Sequence, residues 1–165
     1  MKSVAAVYAF VLLVLVACAG GREARAQADG DCSGTLTKEC LPQTLKSLGL
    51  AFQPTSIGYE VTIKQGTWNF YVQIVLSSDG TKVGFNSNLG DVDEQKISAG
   101  QWMALLAANK DYDPSVFFYD AARKRLYIHR SLDNRNMTPV VLRTQIDAFL
   151  KDIRESEKAW SAVAH

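Results

Sequence analysis

Apolar and polar residues alternate along the stretch from Gly58 to Leu89, and this alternation predicts most of a β-sheet. Successive side chains of a strand point to opposite faces, so each run has one face for a core and one for water. Gln65-Gly66 and Asp79-Gly80 separate the runs and supply residues that tolerate positive φ, as tight hairpin turns require. The pattern predicts three strands, with apolar positions at Tyr59, Val61 and Ile63, then at Trp68, Phe70, Val72, Ile74 and Leu76, and then, more weakly, at Val83, Phe85 and Leu89.

Capping patterns predict a helix on each side of this stretch. Pro42 suits the first turn of a helix, where its missing N–H costs nothing, and Gly49 suits the left-handed position that ends one. Ser98 and Gln101 have the Ser-x-x-Gln spacing of a capping box, which opens a second helix that continues to about Asn109. The expected apolar faces are Leu41, Leu45 and Leu48 in the first helix and Trp102, Leu105 and Leu106 in the second.

The remaining residues predict two more strands and a long helix. Residues 116–119 are apolar on both faces, residues 126–129 alternate less cleanly, and residues 120–124 join them as a hairpin loop. Thr138 is a good N-cap and Pro139 a good first helical residue. Helical spacing places one core stripe on the helix that follows, formed by Leu142, Ile146, Phe149, Ile153 and Trp160.

The predicted order of elements is α-β-β-β-α-β-β-α. Short links between neighbouring strands force antiparallel pairing, and a sheet with one apolar face needs helices on that face. We therefore expect an α+β fold over residues 40–160, with one antiparallel sheet and helices packed on it. Residues 27–39 are small and polar and are expected to form a flexible leader, and residues 161–165 are expected to form a tail.

Residues 1–26 have the character of an export signal rather than of the fold. A basic start at Lys2 precedes an apolar run over residues 4–17, which is shorter than the roughly 20 residues of a membrane span and fits a secretory signal peptide. The small-x-small site Ala24-Arg25-Ala26 predicts cleavage before Gln27. The run Leu15-Val16-Ala17-Cys18 instead resembles a lipobox, which would leave Cys18 lipidated. We expect an exported chain, periplasmic or extracellular, that contacts a membrane only if Cys18 carries lipid.

Two cysteines follow the signal peptide, and we expect them to form a disulfide. Cys32 and Cys40 are an even pair in a chain with an export signal, where disulfides persist. A redox pair would have the closer C-x-x-C spacing, and a metal site would need further ligands that the sequence does not supply. A structural disulfide that fixes the leader to the first helix is therefore the expectation.

Composition narrows the classes of function. The length of 165 residues argues for one domain. The chain has 18 Lys and Arg against 17 Asp and Glu, and this near-zero net charge argues against a nucleic-acid partner. His129 and His165 have no second His or Cys at ligand spacing, and neither a G-x-S-x-G motif nor a Gly-rich phosphate loop occurs. We therefore expect no metal, no cofactor and no enzymatic activity. An envelope hydrolase with dispersed Asp, Glu, Tyr and His residues is the alternative.

Three groups of side chains remain as candidates for binding. Asp91, Asp93 and Glu94 lack the spacing of a calcium loop and are expected to be solvated. A basic cluster around the hairpin at residues 123–125 is also expected to be solvated, with Arg130 and Arg135 nearby. We expect core packing for the three tryptophans (Trp68, Trp102 and Trp160), whereas Tyr71 and Tyr127 lie on the opposite faces of their strands. Exposed together, these two tyrosines would form a patch that binds a partner.

The layout of residues 102–160 resembles a known fold family. A Trp-x-x-Leu-Leu helix from Trp102 is followed by Asn109, a Phe-Phe-Tyr strand, a basic hairpin, a Leu-Tyr-Ile-His-Arg strand, and Leu132 before Thr138-Pro139. With the preceding three strands, this order is similar to the type III secretion chaperone-like fold, including its YbjN and Tir-chaperone branches, over roughly residues 40–160.

The resemblance implies a binding domain rather than an enzyme. Cytoplasmic members of the family dimerise and hold an extended segment of a secreted protein. This chain departs from them in its export signal and in its lack of an acidic composition. We therefore expect an exported, non-catalytic domain that binds a protein or peptide partner, or a second copy of itself. A lipid-anchored structural lipoprotein is a further alternative, which depends on Cys18.

Overall fold

Six antiparallel strands form one sheet in the computed structural model, which describes Cys32 and residues 34–165. The strand order is β1-β2-β3-β4-β6-β5, and the α+β fold is as predicted. The predicted signal peptide, lipidation at Cys18 and residues 27–31 of the leader lie outside the described residues. The elements are α1 (Cys40–Ser47), β1 (Ala51–Pro54), β2 (Tyr59–Gln65), β3 (Trp68–Leu76), β4 (Lys82–Asp91), α2 (Ala99–Ala108), β5 (Ser115–Asp120), β6 (Arg125–Asp133), α3 (Pro139–Glu155) and α4 (Glu157–Trp160).

Strand β1 is the one strand that the sequence pattern did not predict. It pairs with β2 from Ala51 opposite Thr62 to Pro54 opposite Tyr59. Its four residues are exposed or half-buried, so they show no alternation between a core face and a solvent face. Pro54 also lacks the N–H that an interior strand would need, which suits this strand to the edge of the sheet.

One face of the sheet and the helices enclose a single core. The rings of Phe85 in β4 and Phe149 in α3 lie 5.9 Å apart, and Leu45 of α1 and Leu105 of α2 are buried in the same cluster. The helix ends follow the predicted capping. Gly49 has φ 67° and lets the Leu50 N–H reach the Leu45 carbonyl at 3.1 Å.

The long helix is shorter than predicted. Thr138 caps it by accepting a hydrogen bond from the Val141 N–H, but the helix ends at Glu155. The Ser156 hydroxyl donates to the Asp152 carbonyl at 2.6 Å, and the chain turns into the short helix α4. Trp160 therefore belongs to α4 and not to the α3 stripe. Its indole N–H donates to the Ile153 carbonyl at 2.8 Å and its ring packs on Trp68 at 6.3 Å.

Residues on both sides of the predicted domain pack into the fold. In the leader, Leu36 is buried, and its N–H and carbonyl both bond to the Asn134 side chain at 3.1 and 2.8 Å. In the tail, Val163 and Ala164 are buried. Leu36, Val163 and Ala164 therefore pack into the fold although they lie outside the predicted domain bounds at residues 40–160. No helix among the described residues is long and apolar enough to cross a membrane.

Candidate partner-binding surfaces

The two predicted tyrosines lie on the face of the sheet that points away from the core. Tyr71 in β3 is 56% exposed, whereas Tyr127 in β6 is half-buried. Both alternate with buried residues of their strands, and strand β4 lies between them. The structure therefore places them on one surface without contact between their rings.

Phe118 and Val116 extend this surface and were not among the predicted binding residues. Phe118 in β5 is 42% exposed and stacks on Tyr127, its cross-strand neighbour, at 5.2 Å between ring centroids. Val116 is exposed beside it. The pattern that could have identified them is the run of residues 116–119, apolar on both faces, because the outward-facing apolar residues of an edge strand have no core to join. We call the set Tyr71, Asn86, Val116, Phe118, Tyr127 and His129 the outer sheet face.

His129 lies half-buried within the outer sheet face and contacts a neighbouring strand. Its Nδ1 lies 2.7 Å from the Asn86 amide oxygen, and its ring meets the edge of Phe118 at 6.5 Å. Burial lowers the pKa of His129, partly opposed by a hydrogen bond with the Phe85 backbone. Its hydrogen-bond partner is an amide rather than a carboxylate, so this geometry does not form the acid–base pair that a hydrolase would need.

The acidic residues near the end of β4 each have a partner. Asp91 pairs with Arg125 at 2.9 Å and Asp93 with Lys96 at 2.9 Å. Glu94 accepts a hydrogen bond from the Tyr119 hydroxyl at 2.6 Å, which raises the pKa of Tyr119 to about 12. Among the residues that the structure describes, no three His, Cys, Asp or Glu side chains are grouped to hold a metal ion.

The predicted basic cluster is divided among separate ion pairs. Arg123 pairs with Asp120 at 2.6 Å and Arg135 with Asp133 at 2.8 Å. Arg135 lowers the pKa of Asp133 to about 2.

Arg130 does not belong to this surface, and its predicted place in a solvated cluster is wrong. It is 6% exposed and donates to Asp152 at 2.8 Å and to the Ser115 hydroxyl at 3.0 Å. Ser115 in turn donates to Asp152 at 2.6 Å, so the guanidinium is part of a satisfied internal network.

Helix α2 presents a second apolar surface. Met103 and Leu106 are 65% and 57% exposed, so the prediction that Leu106 faces the core is wrong. Residues 99–109 include no charged side chain. Between α2 and β5 lies a groove of about 460 Å³, which we call the α2–β5 groove. Its lining is apolar apart from Glu94 and the Tyr119 hydroxyl, and includes Trp102, Leu105, Leu106, Phe117, Phe118 and Leu126.

The two cysteines form the predicted disulfide. Cys32 and Cys40 are bonded, with 5.5 Å between their Cα atoms. Cys40 is the first residue of α1, so the bond fixes the described part of the leader to the helix. Cys40 and the residue after it, Leu41, are both buried.

Comparison with solved structures assigns the fold. The HopA1–SchA chaperone–effector complex matches with a TM-score of 0.50 and 12% identity, over 70% of this chain and 88% of the matched chain. The ExsC–ExsE complex matches with a TM-score of 0.53 and 11% identity, over 73% and 90%. YbjN from E. coli matches with a TM-score of 0.52 and 15% identity, over 74% and 93%.

The chain therefore has the type III secretion chaperone-like fold, as its sequence layout predicted. No family model matches the sequence, and no curated protein matches it. At these low identities the likeness is one of fold, so function has to be argued from the surfaces of this chain.

Proposed function

We propose that this chain is an exported, non-catalytic domain that binds a protein partner through its outer sheet face. The observation that carries the proposal is the solvent exposure of Tyr71, Val116 and Phe118 on a sheet face that no helix of the described chain covers. Support also comes from the fold. One matched structure is the HopA1–SchA chaperone–effector complex, and another is the ExsC–ExsE complex.

The chemistry of the outer sheet face suits a polypeptide. Its aromatic rings supply apolar contact area at low cost in side-chain entropy. The Asn86 amide and the Tyr71 hydroxyl can donate and accept hydrogen bonds, as a peptide main chain requires. None of its six members carries a formal charge when His129 is neutral, so apolar and amide contacts rather than ion pairs would provide the affinity.

Site-specific photo-crosslinking in the envelope tests this surface. A photoreactive phenylalanine in place of Tyr71 or Phe118 should give one discrete adduct. The same residue in place of Lys151, which is exposed on α3, should not. Tyr71→Ala should then weaken the isolated complex by about tenfold or more, as expected for an aromatic contact residue. Equal labelling from all three positions, or none from Tyr71 and Phe118, would contradict the proposal.

The proposed export of the chain is tested by a separate experiment. Residues 1–26 fused to a reporter that is active only outside the cytoplasm should make that reporter active. Mass spectrometry of the native chain should find a mature start at Gln27. A diacylated Cys18 would instead assign the lipid-anchored form, and an intact Met1 in active cells would contradict export.

We also propose that a second copy of the chain packs on α2. Met103 and Leu106 are exposed on a helix without charges, and apolar patches of this kind are typical of interfaces. Light scattering on the chain starting at Gln27 should give a dimer that Leu106→Asp dissociates. Val140→Asp, at a 75% exposed position in the first turn of α3, should leave the dimer intact. A monomer at every concentration would exclude this role for α2.

A further inference from the structure

The sheet opens between β3 and β4 at one end. The two strands pair only from Gln73 opposite Asn86 to Leu76 opposite Val83. Beyond this point β3 stays paired with β2 down to Trp68, and β4 stays paired with β6 up to Asp91. Each strand therefore continues with a partner on its far side, while residues 68–72 and 87–91 separate. The Ser87 hydroxyl crosses the gap and donates to the Tyr71 carbonyl at 3.0 Å.

Beside Asp91, the place that β3 vacates is taken by His165. The rest of the segment 162–165 continues the turn after α4, since the Val163 and Ala164 N–H groups both donate to the Trp160 carbonyl at 2.9 Å. The Asp91 N–H donates to the His165 carbonyl at 3.0 Å, and the His165 N–H donates to the Asp91 carbonyl at 3.0 Å. This reciprocal pair is the hydrogen-bonding pattern of antiparallel strands. Gly90 permits the approach, because a Cβ there would lie 2.7 Å from the His165 carbonyl oxygen.

The segment fills only part of the opening. Val163 and Ala164 are buried, and the Gln101 side chain holds the Ala162 carbonyl at 2.7 Å. Farther along the gap a cavity of about 180 Å³ remains between the separated strands. It is lined by Trp68, Asn69, Phe70, Tyr71, Ser87, Asn88, Leu89, Ile153 and Trp160. Asn88 lies at this cavity, beyond the pair at Asp91.

We infer that the edge of β4 from Asn88 to Asp91 is a strand-acceptor site, and that His165 is its internal occupant. The partner it fits is an extended polypeptide segment with small, uncharged side chains, because the cavity beside Asn88 has a volume of about 180 Å³ and is lined by uncharged residues. Such a segment pairs with Asp91 and continues along the gap to Asn88, so it gains main-chain contacts that the internal segment does not make.

The site rests on the proposed function, because it assigns the mode in which a protein partner engages. It lies next to the outer sheet face, since Tyr71 borders both. A partner segment that enters the gap therefore reaches the exposed Tyr71 ring as it pairs with β4.

The test uses the full chain with its own segment released. Val163→Asp places a charge at a fully buried position and should undock residues 162–165. Ser161→Asp, at an exposed position, is the matched control. The probe is a synthetic peptide with the sequence of residues 161–165, measured by calorimetry. It should bind the Val163→Asp chain and not the control, since a tethered segment competes at an effective concentration on the order of millimolar.

A second peptide, N-methylated at the residue that corresponds to His165, lacks the donor to the Asp91 carbonyl. It should bind at least about tenfold more weakly, as the loss of a hydrogen bond beside a buried acceptor predicts. Equal binding of the two peptides, or no binding to a Val163→Asp chain that retains its circular dichroism, would overturn the acceptor site.

If Val163→Asp does not fold, hydrogen exchange on the unmodified chain tests the acceptor site instead. An internal occupant that can be displaced opens without global unfolding, so the Asp91 amide should exchange at least about 100-fold faster than the Ile128 amide in the centre of β6. Equal protection would show that the segment leaves only when the whole fold unfolds. Either failure removes the acceptor site alone, because crosslinking from Tyr71 and Phe118 tests the outer sheet face separately.

Discussion

The internal ion pair of Arg130 and Asp152 shows how one residue is placed by contacts distant in sequence. The Arg130 side chain is 7% exposed and that of Asp152 is 15% exposed. A buried charge is tolerated only when it is paired and hydrogen-bonded, and Ser115 completes the network by bonding to both side chains. The three residues join β5, β6 and α3, so the pair fixes the long helix against the edge of the sheet.

Removal of Asp152 should be costly. We expect Asp152→Ala to lower the free energy of unfolding by about 3–5 kcal/mol, because it leaves the Arg130 guanidinium buried and unpaired. Urea denaturation followed by tryptophan fluorescence measures this. Asp147→Ala is the control. It breaks the half-exposed pair with Arg143 on the same helix and should cost only about 0–1 kcal/mol. Equal costs for both variants would contradict the assignment of a buried network.

His129 should make stability depend on pH near neutrality. Burial lowers its pKa in the folded chain below the ordinary value of 6.5, so the unfolded chain takes up the proton first. Stability should therefore fall as pH decreases through 6.5, and the loss should be complete below the folded-state pKa. Unfolding curves between pH 8 and pH 5 should show this trend, and His129→Gln should remove it. A steeper fall in the variant would contradict the sign.

At the level of elements, helix α2 begins at a capping box and has an exposed apolar surface. Ser98 and Gln101 form the predicted capping box, with the Ser98 hydroxyl accepting from the Gln101 N–H and the Gln101 side chain accepting from the Ser98 N–H. The same Gln101 side chain donates to the Ala162 carbonyl. The start of the helix is thus tied to the segment that pairs with β4.

Loss of this cap should affect the helix and the segment differently. We expect Ser98→Ala to lower the free energy of unfolding by about 1 kcal/mol, the usual cost of an N-cap. Gln101→Ala removes both the box and the bond to Ala162, so it should also accelerate amide exchange at His165, whereas Ser98→Ala should not. Hydrogen exchange with mass spectrometry separates the two effects. Indistinguishable exchange would mean that Gln101 does not hold the segment.

Local pattern predicted those elements whose residues alternate or repeat over enough positions. Strand β3 has nine residues and α3 carries a regular apolar stripe, so both were predicted. Strand β1 has four residues and its pairing with β2 is not visible in its own sequence. The break after Glu155 depends on Ser156, whose hydroxyl bonds back to the Asp152 carbonyl. The apolar residues keep helical spacing through Trp160, so the sequence pattern did not indicate this break.

The candidate surfaces were predicted only in part for a related reason. Strand parity placed Tyr71 and Tyr127 on the outer face, because parity is a local property. The alternation along a strand does not show which strands lie at the edge of a sheet. It therefore did not distinguish the exposed Phe118 from a buried residue. Likewise the burial of Arg130 required Asp152, which lies 22 positions away in sequence. Docking of residues 161–165 required the opening between β3 and β4.

At the scale of the whole described structure, a disulfide and a few hydrogen bonds join segments that are distant in sequence. The disulfide from Cys32 to Cys40 holds the described start of the chain on α1. Asn134 holds Leu36 and also donates to the Gly80 carbonyl at 2.7 Å, so the leader, the β3–β4 turn and the end of β6 meet at one side chain. At the opposite end of β4, His165 pairs with Asp91 at the sheet opening.

The disulfide should contribute measurably to global stability. Its sequence separation is 8 residues, and chain entropy for a loop of this size predicts about 2–3 kcal/mol. Cys32→Ala together with Cys40→Ala should lower the free energy of unfolding by that amount, as measured in urea at neutral pH. The oxidised parent treated identically is the control. An unchanged midpoint and slope would show that Leu36 and Asn134 alone hold the leader.

Strand β5 lies at an edge of the sheet, and the hydrogen-bonding groups on its outer side affect aggregation of the chain. Two of its outward donors are already engaged, because the Ser115 N–H bonds to the Tyr112 carbonyl at 2.7 Å and the Phe117 N–H to the Asn109 side chain at 2.6 Å. An edge strand with the sequence Ser-Val-Phe-Phe-Tyr-Asp would otherwise be a template for cross-β aggregation. Asn109 thus occupies the donor at the middle of that edge, between the exposed Val116 and Phe118, and hinders the pairing of another strand there.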